Sequence, residues 1–232
     1  MTQKFYSHIV FTHIPRCGGT SLKQSLYNNI IKNDKLNTKR IYIAGVTHGN
    51  ISVYHNPELI PAIHHDTTIF MDHSPYNTIE KIFNIDYSSI YRIIAIRNPI
   101  DRIISHAKHF YGLTESTTDM KAILDKTIKV AGFCTLEYLT LCTEYDEYDI
   151  PDKIKISSDI IKNEYHALFN LTDPSSSTID DFNANNPFKI KLELVHLNSS
   201  KTFDFGSKVR NYIYERIKPE CRLLEKFIEI EV

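Results

Sequence analysis

Short apolar runs recur along this chain and predict the strands of a sheet. They lie at residues 7–13, 41–46, 67–72, 90–96 and 167–172. Helix-like stretches separate them, and such alternation is typical of a mostly parallel sheet. The pattern therefore predicts an α/β protein whose central sheet is covered by helices on both faces.

Apolar residues at helical spacing mark the connecting segments. Residues 100–111 place Ile100, Ile103, Ile104 and Ala107 along one helix face. The other predicted helices are 21–31, most of 119–143, and 208–230 with a break near Pro219. Polar composition predicts loops at 144–152, 173–177 and 183–187.

The segment between the first strand and the first helix is the most informative one. Residues 13–22 read His-Ile-Pro-Arg-Cys-Gly-Gly-Thr-Ser-Leu. The glycines allow backbone N–H groups to face an anion, and the helix N-terminus adds partial positive charge. Arg16 adds a full charge, and two hydroxyls follow. These features predict a phosphate-binding loop, formed by Arg16, Cys17, Gly18, Gly19, Thr20 and Ser21.

The common P-loop has four residues between its glycines and a Lys before the hydroxyl residue. Here Arg16 precedes two adjacent glycines. A strand–turn–helix corner with an incidental cation is therefore the alternative interpretation.

A second polar element follows the strand at 90–96. Asn98 is a favoured helix-capping residue and Pro99 suits a first helical turn. Arg97 then lies at the end of a strand, with Ser105 about two turns into the next helix. A guanidinium and a hydroxyl so arranged predict a second phosphate site. We expect Arg102 to be a solvated helix charge.

These two elements resemble those of sulfotransferases that use 3′-phosphoadenosine 5′-phosphosulfate (PAPS), especially the carbohydrate enzymes related to heparan 2-O and chondroitin sulfotransferases and their bacterial relatives. The family loop reads His-Ile-Pro-Lys-Thr-Gly-Gly-Thr-Ser-Leu, and Arg16 and Cys17 replace its Lys and Thr. Its 3′-phosphate element, Arg-Asp-Pro-x-x-Arg-x-x-Ser-His, matches residues 97–106 except at Asn98. A late His-Leu-Asn-x-Ser element matches residues 196–200.

The resemblance implies a P-loop-like three-layer α/β/α fold and PAPS as the sulfuryl donor. It assigns Arg97 and Ser105 to the 3′-phosphate, and the loop around Arg16 to the 5′-phosphosulfate. It also places Asn198 and Ser200 near the cofactor. The acidic-x-x-Leu-Tyr pattern of the family's C-terminal region is represented by Glu220 and the residues after it, without the Tyr.

The resemblance further implies a catalytic base after the strand at 67–72. His73 occupies that place, although Asp72 stands where the family usually has Gly. An imidazole at a strand's carboxyl end can accept the proton of an attacking hydroxyl. His48 is the rival base, and Glu80 is a carboxylate alternative that we expect to lie on a helix surface. His13 and His106 are expected to support the loops.

The implied reaction is an in-line transfer of the sulfuryl group to a hydroxyl of a glycan or small metabolite. Arg16 stabilises the developing charge, and no metal is required. A P-loop-like nucleotide kinase and a non-catalytic nucleotide-binding homologue remain alternatives. A Cys17 nucleophile is disfavoured because the phosphatase loop has a different Cys-to-Arg spacing. Beside Arg16 and a helix N-terminus, Cys17 is expected to have a lowered pKa.

Global properties set the broad class. The 232 residues, 42% of them hydrophobic, suit a single domain spanning 1–232. The net charge of −1 and the absence of a recognition motif argue against nucleic acid as a partner. No apolar window resembles a membrane span or a signal peptide. A cytoplasmic, bacterial-type enzyme is predicted, or else the soluble catalytic part of a membrane-anchored one. The sequence predicts neither the acceptor nor the oligomeric state.

Overall fold

Five parallel strands form the centre of the computed structural model, in the order β2-β3-β1-β4-β5. The structure describes residues 6, 8–19, 21–22, 25, 40–43, 68–73, 75–140, 147–171, 177–188, 190–192 and 205–232. The strands are β1 (His8–Thr12), β2 (Arg40–Ile43), β3 (Thr68–Asp72), β4 (Ile90–Ile96) and β5 (Ala167–Asn170). The predicted parallel α/β sheet is confirmed.

Helices follow the strands. Within the described residues they are α1 (Thr78–Phe83), α2 (Pro99–Tyr111), α3 (Met120–Ala131), α4 (Cys134–Thr140), α5 (Ile150–Glu164), α6 (Ser177–Asn185), α7 (Gly206–Arg216) and α8 (Lys218–Leu224). A further helix begins after β1, and its described residues are Gly19, Ser21, Leu22 and Ser25. All seven residues of β4 are buried, so both faces of the sheet are covered at its centre.

Two predicted loops are partly helical. The loop predicted at 144–152 ends early, because Asp149 caps α5 by accepting the backbone N–H of Asp152 at 3.0 Å. The linker predicted at 183–187 overlaps the end of α6. There the Asn183 carboxamide accepts the backbone N–H of Leu192 at 2.6 Å and so ties the helix to the chain that follows it.

Other boundaries agree with the sequence pattern. The predicted helical segment at 119–143 divides into α3 and α4 at Gly132, where an added Cβ would press on Ile128 and Ile217. The C-terminal helices separate at Ile217, one residue before the first turn that contains Pro219. The break predicted near Pro219 is therefore confirmed, whereas the break at Gly132 was not predicted.

One interior strand of the sheet, β4, carries a buried charge. Arg92 of β4 is 2% exposed and lies 2.9 Å from the Glu80 carboxylate of α1, which is 3% exposed. Glu80 was expected on a helix surface, and that expectation is wrong. An ion pair buried to this degree stabilises only if both partners stay in place. The pair connects α1 to the sheet, and the Glu80 carboxylate is engaged by Arg92.

Candidate functional site

The carboxyl ends of the parallel strands meet at one edge of the sheet. There β1 lies between β3 and β4, with Thr12 in register with Asp72 on one side and Ile94 on the other. The chain passes from β1 to β2 and β3 on one side of β1, and from β3 it crosses to β4 on the other side. This change of direction makes the end of β1 the topological switch point where α/β sheets bind ligands. The residues that follow these three strands are His13, His73 and Arg97.

The loop after β1 begins with a tight turn. The Cys17 N–H donates to the Ile14 carbonyl at 3.2 Å, with Pro15 and Arg16 between them. Arg16 has φ 65°, so the turn has the form of type II, with Pro at its second position and positive φ at its third. That third position usually prefers Gly, so Arg16 occupies a sterically costly conformation.

The turn leads directly into a helix. Gly18 has φ 66°, and its carbonyl accepts the N–H groups of Ser21 at 3.0 Å and Leu22 at 3.3 Å. The amides of Gly18 and Gly19 therefore precede the first helical hydrogen bonds and lie at the positive end of the helix dipole. The predicted strand–loop–helix is confirmed, and its N-terminal amides can bind an anion.

The two phosphate elements contact one another. The Arg16 guanidinium donates to the Ser105 hydroxyl through Nε at 3.2 Å and Nη2 at 3.0 Å. Partial burial lowers the pKa of Arg16, and the nearby charge of Arg97 lowers it further. Arg16 and Arg97, which the sequence analysis assigned to two different phosphates, thus lie close together beside Ser105 and form one cationic cluster.

Lys108 extends this cluster and was missed in the sequence. Burial lowers its pKa, and Arg97 lowers it further. Its ammonium lies 5.1 Å from the centre of the Phe205 ring. The available signal was its position three residues after Ser105, on the same side of a helix. Arg16 and Arg97 thus follow the carboxyl ends of β1 and β4, and Lys108, in the last turn of α2, lies close enough to Arg97 to be affected by its charge.

His73 lies beside the phosphate loop. Its Nδ1 is 2.7 Å from the backbone carbonyl of His13, at the end of the neighbouring strand. The carbonyl can only accept, so this nitrogen carries the hydrogen. The neutral imidazole then has its lone pair on Nε2, as a general base requires.

Cys17 differs from expectation. It is 1% exposed, and burial raises the pKa of its thiol to about 12 although Arg102 and Arg97 act in the opposite direction. The predicted lowering is wrong because the side chain points into the core, where removal from water outweighs the nearby positive charge. Cys17 therefore contributes backbone geometry to the loop and packing beneath it.

Arg102 also departs from its expected solvated position. It is 1% exposed and donates to the Ala131 carbonyl at 2.7 Å and the Glu220 carboxylate at 3.2 Å. Asn98 behaves as predicted, because its side chain accepts the N–H groups of Ile100 and Asp101 and caps α2. Arg102 is thus an internal support of the second element, while Arg97 remains at the strand end.

Several predicted site residues lie outside the described part of the chain: Thr20, His48, Asn198 and Ser200. Among the described residues, no group of three or more His, Cys, Asp or Glu side chains is arranged to hold a metal ion. Where the structure is described, no helix combines the length and apolarity needed to span a membrane. The cytoplasmic location and the single-domain organisation remain predictions.

Comparison with known protein families identifies a match that covers the loop after β1 and the second element. A family model described as the sulfotransferase family matches residues 1–131, which contain the loop after β1, His73 and the second element. No curated protein matches the chain. The match covers more than half of the 232 residues and the cationic cluster described above. The chain therefore belongs to the sulfotransferase family.

Proposed function

We propose that this protein transfers the sulfuryl group of PAPS to a hydroxyl of a glycan or small-molecule acceptor, with His73 as general base. The observation that carries the proposal is the contact of Arg16 with Ser105 at 3.0 Å, beside Arg97 and the loop amides. This contact joins the two elements that would hold the two ends of one doubly phosphorylated nucleotide.

The cationic cluster suits such a ligand chemically. The pKa values of Arg16 and Lys108 are lowered by burial and by their proximity to Arg97, so the charges oppose one another. An anion placed among them relieves this repulsion and accepts charge-assisted hydrogen bonds. A ligand with phosphate at both the 3′ and 5′ positions uses more of these cations than AMP does.

The roles combine the positions of the described residues with the family resemblance, which alone assigns Thr20, Asn198 and Ser200. Arg97 and Ser105 bind the 3′-phosphate, with Lys108 as a further cation. Arg16 and the Gly18 and Gly19 amides face the 5′-phosphosulfate, together with the hydroxyls of Thr20 and Ser21. Asn198 and Ser200 complete the cofactor site. When bound, PAPS supplies a sulfuryl group already activated as a mixed anhydride.

The proton of the acceptor hydroxyl passes to His73. Its Nδ1 bond to the His13 carbonyl, at 2.7 Å, leaves Nε2 as the accepting nitrogen. Arg16 stabilises negative charge that develops between the sulfuryl group and the departing phosphate oxygen. The buried ion pair of Glu80 with Arg92 at 2.9 Å argues against Glu80 as the base. His48 remains the alternative base.

Calorimetry with adenosine 3′,5′-bisphosphate, AMP and ATP tests the cofactor class. We expect the bisphosphate to bind most tightly, and Arg97→Ala to weaken it selectively. Arg222→Ala is the matched control because Arg222 is exposed on α8. Equal or stronger ATP binding that does not depend on Arg97 contradicts the proposal and favours a kinase.

Transfer itself is measured with radiolabelled PAPS and a panel of glycan and small-molecule hydroxyls. His73→Ala should lower kcat about 100-fold or more while bisphosphate affinity stays within about threefold. Bisphosphate binding without transfer to any acceptor, and without any effect of His73→Ala on slow PAPS hydrolysis, identifies a non-catalytic homologue instead.

A further inference from the structure

The ring of His13 is enclosed at the centre of the candidate site. His13 is 5% exposed, and its ring stacks on that of His73 with centroids 4.0 Å apart and an angle of 29° between the planes. The Phe11 ring stacks on it at 5.8 Å and 9°. The base proposed above therefore rests against a ring that is itself held by the core.

The start of the phosphate-loop helix presses on the same ring. A Cβ added at Gly19 would overlap the His13 imidazole, so only a residue without a side chain fits there. The His13 ring thus fills the space between the helix N-terminus and His73. The helix N-terminus at Gly19 and the His73 ring therefore fix the position of the His13 ring, and the His13 ring in turn restricts both.

The backbone of the same residue fixes the tautomer of the base. The His13 carbonyl accepts the hydrogen of His73 Nδ1 at 2.7 Å. This bond requires the His73 ring to keep its rotamer. The stacked His13 ring restricts rotation of the His73 side chain, because the two ring centres are 4.0 Å apart and the His73 ring cannot turn without contacting the His13 ring.

We propose that His13 is a positioning residue, which holds the His73 ring in the Nδ1–H tautomer and in a fixed position beside the phosphate loop. The proposal rests on the proposed function, since it takes His73 as the base. His13 itself transfers no proton in this scheme. The His13 ring packs against the His73 ring, and the His13 carbonyl accepts the hydrogen bond of His73 Nδ1. Together they direct Nε2 of His73 towards the hydroxyl that is sulfated.

Nitrogen-15 NMR of the His73 side chain tests the positioning directly. At about pH 8, where an ordinary imidazole is neutral, the wild type should show a protonated Nδ1 and an unprotonated Nε2. His13→Ala should give averaged signals from both tautomers. His13→Phe keeps a flat ring and should restore the wild-type pattern. An unchanged His73 tautomer in His13→Ala overturns the proposal.

A control separates positioning from general loss of stability. Ile9 is fully buried in β1, the strand that ends just before His13, so Ile9→Ala should lower Tm at least as much as His13→Ala while the His73 signals stay unchanged. If Ile9→Ala mixes the His73 tautomers equally, the effect comes from loosening of β1, and the specific role of His13 is refuted.

Kinetics provide the second readout. His13→Ala should lower kcat about 10- to 100-fold with bisphosphate affinity within about threefold, because misplacing a base affects the chemical step. His13→Phe should recover most of the loss. The two proposals fail separately: if His73→Ala keeps full activity, His73 is not the base, yet the NMR result still decides whether His13 holds it.

Discussion

The Arg102 guanidinium and the Glu220 carboxylate lie 3.2 Å apart, with 1% and 0% of their side chains exposed. The Glu220 carboxylate also accepts the backbone N–H groups of Thr135 at 2.8 Å and Leu136 at 3.1 Å. Arg102 donates to the Ala131 carbonyl. One ion pair therefore connects α2, which carries Ser105, to α4 and the C-terminal α8.

Removing either partner of this pair leaves the other charge buried. Arg102→Ala should reduce the free energy of unfolding by about 3–5 kcal/mol, because Glu220 then has no counter-charge in the core. Urea denaturation measures the loss, and the exposed Arg222→Ala is the control at about 0–0.5 kcal/mol. A loss no larger than that of the control contradicts the structural role assigned to Arg102.

Arg97 and Lys108 should contribute unequally to anion binding. Arg97→Ala is expected to weaken adenosine 3′,5′-bisphosphate about 10- to 100-fold, because it removes a bidentate charge-assisted contact. Lys108→Ala removes a point charge farther along α2 and should cost about 3- to 10-fold. The exposed Lys226→Ala serves as the charge-matched control. A Lys108 effect indistinguishable from the control excludes Lys108 from the cluster.

His106 should make stability depend on pH. Burial lowers its pKa to about 4, and Arg102, Arg16 and His109 lower it further. The unfolded imidazole takes up a proton below about pH 6.5, so the unfolded state binds more protons than the folded state between 6.5 and 4. Its stabilising contribution is therefore complete above about pH 6.5 and is lost as pH falls towards 4.

The size of this effect is about 1 kcal/mol after discounting for the solvent-exposed part of the ring. Urea denaturation of wild type and His106→Asn at several pH values measures it. The variant should show a flatter dependence below about pH 6.5, while the two curves run parallel above it. Parallel curves over the whole range contradict the lowered pKa.

Cys17 should resist alkylation in the native protein. With a pKa of about 12 and 1% exposure, it presents almost no thiolate at pH near 8. Iodoacetamide followed by peptide mass spectrometry should find Cys17 unmodified in the folded state and modified in urea. Modification of native Cys17 at the rate of a free thiol contradicts the packing beneath the loop.

Sequence reasoning located the features that depend on neighbours along the chain. The strand before the loop, the Gly18 turn, the Asn98 cap and the Pro99 start each arise within a few residues, and the structure confirms them. Asp149 carried a similar capping signal, but the acidic composition around it favoured a loop, and α5 was not predicted.

The errors concern side chains whose partners are distant in sequence. The sequence pattern predicts Arg102 to be a surface charge, because its partner Glu220 is 118 residues away along the chain. Glu80 reads the same way because its partner Arg92 lies on the next strand. The burial of Cys17 depends on the core beneath the loop, and the stacking of His13 on His73 depends on the pairing of β1 with β3. No local pattern specifies those contacts.

All four strand pairs of the described sheet are parallel, so none of them can form as a local hairpin. The central pair joins His8 of β1 to Ile90 of β4, which requires the intervening chain to close a long loop first. Such non-local pairing slows folding, and we expect the described sheet to form in milliseconds to seconds.

A fragment ending at residue 131, where the family match ends, lacks both β5 and Glu220 and leaves β4 as an open edge. Shortening the protein to its recognisable part should therefore yield a chain that aggregates.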